Sequence, residues 1–125
     1  MKLGYIIYYV KNVSKTLQFY EKAFLMKTRF LHESEEYGEL DTGATTLAFA
    51  SYNMLKANLQ KTKPPVERHG SEIAFVTKNV NKAYEHAIMN GAKAIKPPTQ
   101  KPWGQIVAYL SDPDGNLIEL CTPVS

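Results

Sequence analysis

Lys11-Asn12-Val13-Ser14-Lys15 recurs as Lys78-Asn79-Val80-Asn81-Lys82, 67 positions on, with a single Ser/Asn exchange. The flanks agree in kind. Tyr5-Ile6-Ile7-Tyr8-Tyr9-Val10 precedes the first copy and Glu72-Ile73-Ala74-Phe75-Val76-Thr77 the second. Both flanks are rich in β-branched and aromatic residues and read as strands. An apolar stripe at helical spacing follows each copy: Val13, Leu17, Tyr20 and Phe24 in the first, Val80, Tyr84, Ala87 and Ile88 in the second. Asn12 and Asn79 stand where a helix begins, and an amide oxygen there can accept a free N–H of the first turn. The chain is therefore two copies of one supersecondary unit, which seldom buries its apolar face alone.

Working outward, Met26–Glu33 and Glu36–Asp41 read as two strands of a hairpin turning at Ser34-Glu35, and Thr45–Ala50 as a further strand. Tyr52–Leu59 suits a short helix, which Lys61-Thr62-Lys63-Pro64-Pro65 cannot continue because proline lacks the N–H and fixes φ. This stretch reads as a partly mobile connector. In the second copy Gly91 suits the left-handed position after a helix. Ala92–Ile95 is a short strand stopped by Pro97-Pro98, and Gly104–Ser111 a longer one. Asp112-Pro113-Asp114-Gly115 is a turn leading into the last strand, Asn116–Cys121. The expected fold class is α+β. Two tandem βαβββ units, 1–51 and 71–125 joined by 52–70, form a curled mixed β-sheet cleft with the helices packed outside. Each half is only about 50 residues and would be marginal alone, so a single domain is expected.

Composition narrows the function classes. Of 125 residues 44% are hydrophobic and 22% charged, as in an ordinary globular chain. The net charge of +3 comes from scattered lysines without a basic stripe, so no nucleic-acid partner is expected. No apolar run approaches a membrane span and the first residues lack a signal-peptide pattern, which together predict no membrane partner. The lone Cys121 reads as a small buried strand residue and fits a cytoplasmic protein. Of the three histidines, His32 lies on a strand of unknown face, His86 lies in the second helix near a lysine-rich surface, and His69 reads as a solvated loop residue although it lies close to Glu72.

Three segments, Tyr5–Tyr20, Glu72–Gly91 and Pro102-Trp103-Gly104-Gln105 through Asp112-Pro113-Asp114-Gly115-Asn116-Leu117-Ile118-Glu119-Leu120, make the chain similar to the vicinal oxygen chelate superfamily. That group includes glyoxalase I, bleomycin- and fosfomycin-resistance proteins and extradiol dioxygenases. The resemblance implies a ligand cleft and, in metal-dependent members, four ligands from the first and last strands of each unit, of the types His or Gln, Glu, His, Glu. Carried onto this chain, those positions are Tyr5, Glu72, Glu119 and Ala48, or Leu47 if the strand slips by one residue. Neither Ala48 nor Leu47 can bind a metal. No standard metal cofactor is expected, with Glu72 and Glu119 left as weak candidates for a divalent ion.

Glu72 and Glu119 admit two readings: solvated carboxylates at a wet rim, or a coupled pair that shares a proton and serves as a cation site or general base. The resemblance implies aromatic contacts from Tyr5, Tyr9, Phe49 and Trp103 to a small organic ligand, cationic or aromatic. Tyr5 and Tyr9 are equally compatible with core packing. Matching Ala48 to Glu119 turns Phe49 toward the core. Trp103 follows a proline in a loop and suits a rim. The expected function is thus a glyoxalase/bleomycin-resistance-like small-molecule binder. The alternative is a lyase, isomerase or dioxygenase assisted by a divalent metal. The resemblance further implies a homodimer.

Overall fold

The computed structural model describes residues 1–60 and 63–124. Lys61 and Thr62, in the expected connector, lie outside the described residues. The chain forms two compact units, Met1–Pro65 and Val66–Ser125.

The first unit runs β1 (Tyr5–Val10), α1 (Val13–Phe24), β2 (Thr28–Leu31), β3 (Tyr37–Leu40), β4 (Thr46–Ser51) and α2 (Tyr52–Leu59). The second runs β5 (Arg68–Val76), α3 (Val80–Met89), β6 (Lys93–Gln100), β7 (Ile106–Ser111) and β8 (Asn116–Cys121). Each unit holds a four-stranded mixed sheet, ordered β1-β4-β3-β2 in one and β5-β8-β7-β6 in the other. The orders are the same permutation, so the repeat in sequence is a repeat in topology. In each sheet the first strand pairs parallel with the fourth and the others run antiparallel.

The repeated motif starts both helices. Asn12 Oδ1 accepts from Lys15 N at 2.9 Å and Asn79 Oδ1 from Lys82 N at 3.0 Å. Each satisfies one first-turn N–H that would otherwise lack a partner. α1 then buries Val13, Leu17, Phe19 and Tyr20. Tyr20 stacks on Phe49 of β4 with centroids 5.0 Å apart. Gly38 lets α1 approach β3, because a Cβ there would sit 2.6 Å from Leu17 Cδ1. In the second unit Val80 and Ala87 of α3 are buried, and Ile118, Leu120, Leu110 and Ala108 of the sheet form the rest of that core.

Two elements depart from expectation, and the expected helix α2 packs within its own unit. β6 does not stop at Pro97-Pro98 but continues to Gln100, with register shifts between Ala94 and Lys96 and between Lys96 and Thr99. It is an edge strand, where proline removes no ladder bond on the solvent side and bulges absorb the misfit. β5 begins at Arg68 rather than Glu72, past an irregularity between those residues. α2 packs on β1 and β4 of its own unit, with Leu55 buried and Ser51 capping its start.

The Asp112–Asn116 turn is held by its own side chains. Asp112 Oδ1 accepts from the backbone N–H groups of Asp114 and Asn116, each at 2.9 Å. Asp112 Oδ2 accepts from Asn116 Nδ2 at 2.8 Å. Both residues are buried. The most distinctive segment of the sequence is thus a structural hairpin, and its acidic residue is engaged inside the turn.

Candidate functional site

Strand alternation gives each sheet one face against its helix and one face away from it. The carboxylates occupy the second face. In the Val66–Ser125 unit Glu72 pairs with Leu117, and Glu119 pairs with Ala74 on one side and Tyr109 on the other. Glu72 and Glu119 are thus diagonal neighbours on adjacent parallel strands, with side chains on one face. Tyr109 Oη donates to Glu119 Oε1 at 3.2 Å.

The electrostatics follow from this crowding. Burial pushes the Glu72 carboxyl above its ordinary value, and the charge of Glu119 pushes it further. Burial raises the Tyr109 phenol, with the two carboxylates and the hydrogen bond to Glu119 acting in the same direction. Cys121, buried two residues beyond Glu119, has its thiol raised by burial and then by Glu119. At neutral pH the Tyr109 phenol and the Cys121 thiol beside the two glutamates are therefore protonated.

Because the folded chain holds the Glu72 proton more tightly than the unfolded chain, this group's contribution to stability is fully present below the ordinary glutamate range. It is lost as pH rises through the folded value. Glu119→Gln removes the repelling charge and is expected to lower the Glu72 midpoint, read from the side-chain carboxyl carbon by NMR. An unmoved midpoint would show that Glu119 does not act on Glu72.

The corresponding face of the first unit is built differently. Ile7 pairs with Ala48, as Ala74 pairs with Glu119, so Ala48 and not Leu47 is the counterpart of Glu119. Tyr5 occupies the place of Glu72, on an edge strand and exposed. Beside Ala48, on β3, lies Glu39. It accepts from Tyr37 Oη at 2.7 Å and from Arg29 Nε at 3.2 Å, and Arg29 also donates to Thr46 Oγ1. Burial, then the bond to Glu39, then its charge hold the Tyr37 phenol well above its usual range. Each unit thus carries a tyrosine donating to a glutamate, across two strands in one and along one strand in the other. The Tyr37-x-Glu39 spacing, which places both residues on one strand face, was the available sequence signal.

The remaining candidates separate. Phe49 is a correction: it lies wholly inside the first unit against Tyr20 and Tyr8 and cannot touch a ligand on the other face. Tyr9 is half-buried on the same strand face as Tyr5, and its hydroxyl accepts from Asn58 Nδ2 of α2 at 3.3 Å. Trp103 is exposed in the β6–β7 connection, donating to Gln105 Oε1 at 2.9 Å. Gln105 in turn donates to Thr122 O, beyond the end of β8, whereas Glu72 pairs near its beginning. At ~3.3 Å per residue, Trp103 belongs to the opposite end of the sheet from Glu72. His32 is bound into the Ser34 turn, His86 is exposed on α3, and His69 lies at the start of β5.

Among the described residues no three His, Cys, Asp or Glu side chains group as a metal site. The donors around Glu119 are two carboxylates, a phenol committed as a donor and a thiol kept protonated. That set does not fit a metal held by four protein ligands including nitrogen or thiolate sulfur.

Residues 3–125 match the family model described as a glyoxalase-like domain. An uncharacterized protein of Bacillus subtilis, YraH, is 29% identical over 124 residues, covering 96% of this chain and 97% of that protein. A glyoxalase-related enzyme from Fulvimarina pelagi superposes with a TM-score of 0.84 at 17% identity, covering 98% of this chain and 88% of the other. A glyoxalase/bleomycin resistance protein/dioxygenase family enzyme from Burkholderia phytofirmans superposes with a TM-score of 0.79 at 22% identity and covers 100% of both chains. At these identities the superpositions speak to the fold alone. No helix among the described residues is long and apolar enough to cross a membrane.

Proposed function

The chain belongs to the glyoxalase-like domain family, and from that membership we propose that it binds a small organic cation against the Glu72–Glu119 face of its second unit. The observation that carries the reading is the coupling of Glu72 to Glu119 on one sheet face. The charge of Glu119 raises the proton affinity of Glu72, and a ligand cation at the pair offsets the same repulsion. Tyr109 adds an aromatic ring and holds Glu119 in place through its hydroxyl. The site needs no metal in this role. A quaternary ammonium with an aromatic group suits it, since the carboxylates and the ring face both attract such a charge.

Benzyltrimethylammonium is the test probe. It is expected to raise the melting temperature, with or without EDTA, and to lose the effect in Glu119→Gln. A response abolished by EDTA, or retained in full by Glu119→Gln, defeats the binding reading.

A second reading draws on the same pair. A carboxyl with a raised pKa beside a protonated phenol is the equipment of a general base with a hydrogen-bond donor at hand. In that version the chain is a lyase, isomerase or dioxygenase of its family, Glu72 takes the proton, and Glu119 sets its basicity. An EDTA-sensitive response in the experiment above favours this version, with a divalent ion completing the site.

A further inference from the structure

The second unit contains a cavity of about 380 Å³ that neither Glu72 nor Glu119 lines. It lies where the start of β5 passes over the Asp112–Asn116 turn. Its polar lining includes Glu67, His69, Lys93 and Ser111, and Ile95 and Val66 supply exposed apolar wall. The volume falls at the lower end of the range for small-molecule sites.

The charges at this cavity are unspent. Lys93 and Glu67 bring opposite signs to one space, yet neither forms an ion pair or side-chain hydrogen bond among the described residues. Asp112 also lines the cavity, but both its oxygens receive N–H donors from the turn. Ser111 is 5% exposed and lines the same cavity. Ser111 and Lys93 are also register partners on adjacent strands, so both side chains leave the sheet on one face.

From these features we infer that the cavity is a site for a zwitterion of the α-amino acid type with an apolar side chain. The carboxylate is received by Lys93 and Ser111, the ammonium by Glu67, and the side chain lies on Val66 and Ile95. A bare anion would meet Glu67 and a bare cation would meet Lys93, whereas a ligand bearing both charges satisfies each. Ser111 lies on the same sheet face as Glu72 and Glu119, through its register partner Leu117, but neither glutamate lines the cavity.

The test is an amide chemical-shift titration with L-norleucine, hexanoate and pentylammonium, the last two each lacking one of its charges. Norleucine is expected to bind at least about tenfold more tightly than either, with shifts centred on Ser111 and Gly115. Lys93→Gln and Glu67→Gln are expected each to abolish that preference, and Ser111→Ala to weaken norleucine about fivefold. Because Lys93 and Glu67 are exposed, those variants fold as the parent does. Equal affinity for hexanoate or pentylammonium overturns the inference. So does no saturable shift with norleucine, an unchanged affinity in Ser111→Ala, or shifts centred on Glu119 and Tyr109.

Discussion

Phe49→Ala is expected to cost about 3–5 kcal/mol of folding stability. The ring is wholly enclosed, stacked on Tyr20 at 5.0 Å and near Tyr8 at 6.5 Å. Tyr20 is itself fully buried and also packs against Phe19 and Phe24. Truncation removes the area buried by the ring and leaves a void that these aromatic neighbours can fill only by abandoning their packed rotamers. A loss of that size is a large share of the ~5–15 kcal/mol that holds a domain of this kind together. Urea melts of the variant and parent measure it. A loss below about 1 kcal/mol would mean that the ring is not part of the core. The same variant separates the two roles open to an aromatic on this strand: a ligand contact would weaken binding and leave the melt unchanged.

Phe49 also shows what the sequence can and cannot carry. Side chains alternate along a strand, so a shift of one residue exchanges its two faces. Local sequence identifies Thr45–Ala50 as a strand, but its facing is settled by the partner strand, through Ile7 opposite Ala48 and Tyr8 opposite Phe49. The same dependence hid Tyr109 and Glu39, whose roles come from lying next to Glu119 and Ala48 across the sheet. Features set within one turn of chain were legible. Asn12 and Asn79 cap their helices because the acceptor and the N–H lie three residues apart. Glu72 and Glu119 were legible as a pair only through the family resemblance, which marks the first and last strands of each unit as ligand positions, and through the repeat, which matches Glu72 to Tyr5 and Glu119 to Ala48. Pro97-Pro98 misled because a proline stops an interior strand but not an edge, and edge position is a property of the assembled sheet.

Gly115→Ala is expected to be the most damaging small substitution in the second unit, costing roughly 3 kcal/mol or more. Two separate causes act there. The residue has φ of +86°, where any side chain is strained. In addition, a Cβ would lie 1.8 Å from Val66 O and 2.9 Å from Val66 C, both backbone atoms. A flexible side chain could swing aside, but a backbone carbonyl cannot move without carrying its strand. That strand is tied down immediately afterwards, as Arg68 N donates to Gly115 O at 3.0 Å and Arg68 lies 3.8 Å from Asp114. Gly104 provides the control. Its φ of +94° imposes similar strain, yet nothing lies within 4 Å of its Cβ position. Gly104→Ala should therefore cost only about 1–2 kcal/mol, and the difference between the two melts isolates the collision with Val66. Equal losses would show that the close approach relaxes freely. A larger loss at Gly115 means that glycine in the Asp-Pro-Asp-Gly-Asn segment serves the passage of Val66–Arg68 over the turn. The same passage forms one wall of the 380 Å³ cavity, so a Gly115→Ala chain that remains folded should also lose norleucine binding while keeping its response to a cation at Glu72 and Glu119.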